Sequence, residues 1–452
     1  SGLGVTLTGG DGNDTLLGSA GNDSLDGGNG TDLGGQSSDT NQLATNTSLA
    51  GDGTDVLAGI EEIRLTGGAG DNRLDATGFT AGPATLSGGN GNDTLLGTNS
   101  SDSLDGGDGT DLVAQVTGSN QVLTNTTLTG LGLDVLSQVE QASLTGDSQG
   151  NQIDASAFTA GPVTVSGLLG DDTITGSSSD DTLDGGDGLD VLTQASDSDQ
   201  VLNNTTLTGY GNDTHSSFER VQLTGGVGDN RLDAGSFTIG VVTLDGGDGN
   251  DTLIGSQGDD ALVGGDGTDQ VEQLVDGDQV LTNTQLTGRG VDTLSSIENG
   301  VLSGGSSANL ITAETFTNGP VTLDGGSGDD TLVGSPASDS LAGGSGTDRV
   351  RQTADTDQVA TDTQLTGHGT DVLTSIENVE LIGGSSANRL NTSTFTRGST
   401  TLVGGGGDDT LLGSAADDSL DGGNGNDQVE QFSDADQVLT SSNLTGRGND
   451  LL

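Results

Sequence analysis

"GGDGNDTLLGSAGNDSLDGGNGTD", Gly9 to Asp32, is mostly glycine and aspartate, with only three leucines in 24 residues. A stretch with so little apolar surface should stay disordered, because it cannot offset the entropy of ordering its backbone. Yet the block returns at Gly88, Gly167, Gly246, Gly325 and Gly404, always 79 residues on. The complete copies are 9–87, 88–166, 167–245, 246–324 and 325–403, flanked by a tail at 1–8 and a partial copy at 404–452. A disordered tail has no reason to keep such a register, so every residue is expected to hold a fixed place in a repeating structure. The opening "GVTLT" matches "PATLS" of the next copy, and "LTGRGNDLL" stops where an earlier copy continues "LTGRGVDTLSSIE". Both ends therefore read as cuts through a longer array, with 1–452 as one continuous solenoid.

Composition sharpens the problem. The 452 residues include 83 Gly, and only 29% are hydrophobic. All ten basic residues are Arg, set against 68 acids, and the formal charge is −58. A compact state with that charge repels itself unless cations enter it. The acidic surface argues against nucleic acid and anionic lipid as partners. No apolar run is long enough for membrane insertion as a helix. No cysteine is present, which removes disulfides and thiolate metal sites and suits an extracellular setting.

Within a copy there is a finer grain. Residues 88–114 are three nonapeptides, "GGNGNDTLL", "GTNSSDSLD" and "GGDGTDLVA". After fourteen residues, "QVTGSNQVLTNTTL", comes "TGLGLDVLS"; after eight, "QVEQASLT", comes "GDSQGNQID"; twelve residues, "ASAFTAGPVTVS", close the copy. The first six positions of a nonapeptide are turn formers, and the last three are a short strand with one inward side chain, such as Leu95 or Leu104. So short a strand needs a neighbour above and below, so the segments should stack in parallel register. Two nonapeptides then make one flattened turn.

The pattern G-G-x-G-x-D-x-U-x, with U a large aliphatic residue, resembles the RTX (haemolysin-type calcium-binding nonapeptide repeat) family, as found in large bacterial adhesins and cyanobacterial surface fibrils. The resemblance implies an all-β fold, an elongated right-handed parallel β-roll or β-solenoid, with about four turns per 79-residue repeat. It also implies that the sixth-position Asp and turn carbonyls hold Ca²⁺ between successive turns. The physics agrees: stacked turns bring aspartates to about 4.8 Å, and Ca²⁺ takes about 6–8 oxygen ligands.

Counting eight segments per copy gives four whole turns, so odd segments should form one edge throughout. That edge would carry Asp14, Asp32, Asp55, Asn72, Asp93, Asp111, Asp134, Asn151, Asp172, Asp190, Asp213, Asn230, Asp251, Asp269, Asp292, Asn309, Asp330, Asp348, Asp371, Asn388, Asp409, Asp427 and Asp450 as metal ligands. The even edge would offer weaker candidates at Asp23, Asp102, Asp181, Asp260, Asp339 and Asp418. The expectation is a one-sided ladder of many Ca²⁺ ions, with metal binding supplying the folding free energy.

Other signals have structural readings. Glu61, Glu140, Glu219, Glu298 and Glu377 recur in register and read as acids capping or binding within the roll rather than catalysing. Phe79, Phe158, Phe237, Phe316 and Phe395 should close the wider turn of the twelve-residue segment, and Pro83, Pro162 and Pro320 mark bends there. His215 and His368 occupy different registers, so no catalytic triad is expected, and the chain reads as no enzyme. Its expected role is a stalk or fibre of a secreted bacterial surface protein, folding on calcium outside the cell, with possible self-association into filaments or a surface layer. The alternatives are a calcium-dependent folding and secretion module of a toxin or secreted enzyme, or an ice- or glycan-binding solenoid.

Overall fold

A computed structural model describes residues 2–431, 438–439, 443–445 and 449–451. Among the described residues there is no helix, and so none that could cross a membrane. Tertiary contacts divide the chain into two units, one comprising 1–196 with 200–223 and the other 197–199 with 224–452. Both are built from short parallel strands.

The nonapeptide behaves as its composition dictates. Gly89 and Gly91 take φ of +105° and +107°, which only glycine adopts without strain, and turn the chain sharply. Thr94–Leu96 then runs as a three-residue strand that buries Leu95. In the other sheet Ser103–Asp108 buries Leu104. Within the nonapeptide blocks strands pair with the strand 18 residues away, as in Thr6 on Ser24 and Thr85 on Ser103.

In the first unit two strand stacks face each other. The first runs through Thr6–Asp11, Ser24–Asn29 and Gly53–Ala58, then Arg73–Gly78, Thr94–Leu96, Leu112–Val116, Gln141–Thr145, Val163–Ser166 and Thr182–Asp184. The second runs through Thr15–Leu17, Leu33–Ser37, Glu62–Thr66, Ala84–Asn90 and Ser103–Asp108, then Gln152–Ala157, Thr173–Thr175 and Val191–Ala195.

The fourteen-residue segment and the nonapeptide after it do not make two half-turns. Gln121–Thr124, Thr127–Gly130 and Gly132–Ser137 form an antiparallel meander within one stack. Its last strand lies on Ser103–Asp108 and its first strand carries Gln152–Ala157. These three strands fill three successive levels of one stack but count as a single half-turn of the coil, so a copy makes seven half-turns, three and a half turns of coil. An odd number sends each copy to the opposite stack from the last. Thr15–Leu17 is in the second stack, its equivalent Thr94–Leu96 in the first, and Thr173–Thr175 in the second again. The second unit repeats this, with Thr252–Ile254 and Thr410–Leu412 in one stack and Thr331–Val333 in the other.

The wider half-turns are filled rather than empty. Phe79, Phe158, Phe237, Phe316 and Phe395 are fully buried, and Phe218 joins them from a different register. Beside the meanders of the second to fifth copies a buried glutamine pair is hydrogen-bonded: Gln115 Nε2 donates to Gln121 Oε1 at 3.2 Å and Gln121 Nε2 to the Thr145 carbonyl at 3.0 Å, with Gln194–Gln200, Gln273–Gln279 and Gln352–Gln358 as the equivalent pairs.

Candidate metal centre

At Asp93 the side chain turns inward beneath the next turn. Its Oδ1 accepts the Asn72 N–H at 2.7 Å, and its own N–H donates to Asp111 Oδ1 at 2.6 Å. Asp111 N–H in turn donates to Glu140 Oε2 at 3.0 Å. One oxygen of each aspartate thus serves as an acceptor for the turn below, and the other is left over.

That second oxygen defines the site. Asp93 Oδ2 is buried, has no hydrogen-bond partner, and lies beside Gly88, where a Cβ would collide with it and with the carbonyl of Gly106 in the next turn. Asp111 Oδ2 repeats this beside Gly106, facing the Gln138 carbonyl. Two acceptors brought together without a donor are costly in a buried place, and a cation shared between them removes the cost. The same cradle occurs at Asp14, Asp32, Asp172, Asp190, Asp251, Asp269, Asp330, Asp348 and Asp409, each with an orphaned Oδ2. Asn72, Asn151, Asn230, Asn309 and Asn388 place a neutral Oδ1 against the carbonyl of the following turn in the same way. Among the described residues no three His, Cys, Asp or Glu side chains converge on one point. The donor set is therefore one side-chain oxygen with turn carbonyls, which suits a hard, oxygen-seeking cation.

The vertical order differs from a single column. Asn72, Asp93, Asp111 and Glu140 follow one another along one edge through their N–H bonds. Asn151, Asp172, Asp190 and Glu219 do the same on the opposite edge. Asp134, expected beside Asp111, instead stacks on Asp102, whose N–H donates to its Oδ1 at 2.9 Å. Asp55, Asp213, Asp292, Asp371 and Asp450 stack likewise on Asp23, Asp181, Asp260, Asp339 and Asp418. The expected division into a metal-rich odd edge and a poor even edge is thus corrected. The meander removes one half-turn per copy, and the acid groups alternate between edges.

A family model described as RTX calcium-binding nonapeptide repeat (4 copies) matches at residues 6–33, 80–113, 164–199, 243–271, 322–358 and 396–429. The chain carries RTX calcium-binding repeats. No curated protein matches it. RTX repeats bind calcium, and the matched stretches contain the Asp cradles from Asp14 to Asp409. The chain is a calcium-binding repeat module of the kind found in secreted bacterial proteins.

Not every nonapeptide of these RTX blocks is built alike. In "GTNSSD", Thr98 replaces the second glycine. Its hydroxyl donates to Asp102 Oδ1 at 2.9 Å and its N–H to Asp102 Oδ2 at 2.5 Å, while Ala84 N–H donates to Oδ1 at 2.6 Å. Ser177, Ser256 and Ser335 cap Asp181, Asp260 and Asp339 in the same manner. No carbonyl of another turn meets the neighbouring Gly97, so these carboxylates are saturated by hydrogen bonds and form no cradle.

Burial raises the carboxyl pKa at Asp93, Asp111, Asp172, Asp190, Asp251, Asp269, Asp330 and Asp348, with neighbouring carboxylates adding to it. In the capped pairs, burial pushes Asp134, Asp213, Asp292 and Asp371 up to about 7, against the hydrogen bond each accepts. Asp427 Oδ1 accepts the Asp409 N–H at 2.9 Å, as the ladder requires, and the residue is exposed. His215 fills a core position that is leucine in other copies, with Nε2 2.9 Å from the Asn203 carbonyl, and burial lowers its pKa. The meander was hidden by "TGLGLDVLS", whose G-x-D spacing imitates a nonapeptide. Three alternating runs joined by "NT" and "GLG" were its hairpin signal.

Proposed function

We propose that this chain is a calcium-stiffened structural region, a stalk or fibre, of a secreted bacterial surface protein, which orders when it meets calcium outside the cell. The observation that carries this reading is the set of eleven buried aspartate oxygens without donors, each opposed to a backbone carbonyl at the same register of successive copies. With calcium in the cradles, the acids cease to repel and become cross-links between turns. In calcium-poor cytosol the charge of −58 keeps the chain extended and soluble, which suits export before folding. Ions would lie in groups of three cradles, one group per copy on alternate edges, separated by turns whose paired acids meet no carbonyl of another turn. The reading assigns the chain no reaction.

The test is circular dichroism and thermal melting of the chain in millimolar calcium and in excess chelator. A large gain of β signal and melting temperature with calcium is expected. An unchanged spectrum and melting point in chelator would overturn the reading. Electron microscopy of the native assembly tests the surface-fibre role.

A further inference from the structure

Five turns that carry none of the nonapeptide signature end each acid group. These are the turns of Glu61, Glu140, Glu219, Glu298 and Glu377, all outside the matched repeat segments. We infer that each is a calcium half-site, so that an ion binds between a nonapeptide aspartate and this glutamate turn; the inference rests on the calcium reading above.

Three observations coincide in all five copies. First, Asp32, Asp111, Asp190, Asp269 and Asp348 are completely buried, and each has an Oδ2 with no partner. The nonapeptide turn on their other side does not use that oxygen, since it engages Oδ1 through the N–H of Asp14, Asp93, Asp172, Asp251 or Asp330. Second, the residue two before each glutamate has a left-handed backbone: Gly59 at φ +55°, Gln138 at +48°, Ser217 at +60°, and Ser296 and Ser375 both at +52°. Four of these are not glycine, so the conformation carries strain that the surroundings must repay. Third, that conformation turns the carbonyl of the same residue onto the glycine beside the orphaned oxygen. A Cβ at Gly27, Gly106, Gly185, Gly264 or Gly343 would strike both that carbonyl and the aspartate Oδ2.

The glutamate completes the arrangement. In a nonapeptide the cradle carbonyl precedes its aspartate by five residues, as Gly106 precedes Asp111; here Gln138 precedes Glu140 by two. The turn is three residues shorter, and the extra methylene of glutamate spans the missing reach. Its Oε2 accepts the aspartate N–H at 3.0–3.1 Å in every copy, the bond an aspartate makes elsewhere. Carboxylate oxygen, turned carbonyl and second carboxylate are a calcium donor set on a turn that sequence patterns do not mark.

The test replaces all five glutamates with glutamine (E61Q, E140Q, E219Q, E298Q, E377Q) in the full chain. Glutamine keeps the N–H acceptor and removes the charge. Bound calcium is counted by metal analysis after dialysis, and the variant is expected to hold five fewer ions per chain than the unaltered protein. An unchanged count overturns the inference. Because the variant could misfold, anomalous scattering from crystals of the unaltered protein gives a second reading. Peaks between Asp111 and the Gln138–Glu140 turn, and at its four equivalents, are expected. Peaks in the nonapeptide cradles but none at the glutamate turns would refute the half-site alone. No calcium at either place would refute the calcium reading itself.

Discussion

Replacing Asp93 with alanine removes two different things, and their sizes differ. Oδ1 is the acceptor for the buried Asn72 N–H at 2.7 Å, so alanine strands a donor, at a cost of about 1–3 kcal/mol. Oδ2 is the cradle oxygen, so alanine also removes the carboxylate of one cation site. At calcium one hundred times its dissociation constant, each lost ion forfeits about 2.7 kcal/mol of stabilisation. The sum is about 4–6 kcal/mol in saturating calcium. Asp93→Asn keeps an oxygen for Asn72, as Asn72 itself does for Gly68 N–H, and so should lose at most the metal share. In a stacked repeat the damage stays local. Hydrogen exchange in calcium should therefore show the amides of Asn72 and Thr94 deprotected in Asp93→Ala, less so in Asp93→Asn, with the amides around Asp172 unchanged. If the Asn72 amide and the calcium count were the same in Asp93→Ala as in the unaltered chain, the cradle would be wrong.

Ser256→Ala removes the hydroxyl that holds Asp260 Oδ1 at 2.9 Å and should cost about 1 kcal/mol by urea titration. Its calcium count should not change, because Asp260 forms no cradle; loss of an ion would contradict that. The capped pairs also predict a pH effect in metal-free protein. Asp134, Asp213, Asp292 and Asp371 titrate near 7 when folded and near 3.8 as free groups, so the folded state holds more protons between those values. Stability in chelator should therefore fall as pH rises from about 4 to 7. Residual β signal in chelator should be greater at acid than at neutral pH, and the opposite trend in circular dichroism would refute the assignment.

The calcium character of the chain was readable from its letters, because it rests on local chemistry. Glycines at fixed offsets dictate the turn, a lone leucine dictates the inward face, and an aspartate before each strand places a charge at the bend. Asp14, Asp93 and Asp172 could be named as one class because each sees much the same nine residues. Phe158 and its equivalents were legible too, since one large apolar side chain in a polar segment has nowhere to go but inward. The edges were not legible. Asp134 sits in a segment that scans as a nonapeptide, yet Thr127–Gly130 and Gly132–Ser137 pair antiparallel, and no local preference separates that from two more parallel half-turns. The choice rests on hydrogen bonds to strands about 32 residues away, Ser103 with Val135 and Gln121 with Ile153.

Composition and period alone determined a stacked, glycine-turned, cation-dependent β fold, since a charge of −58 on so thin a core admits no compact alternative. Tertiary structure alone decided which carboxylates are available. Asp102 and Asp111 are nine residues apart in similar blocks, but Thr98 saturates one, and the Gln138 carbonyl faces the other, whose Oδ2 has no donor. A carboxylate's type is written in the chain; whether its second oxygen finds a donor depends on what the fold stacks above it.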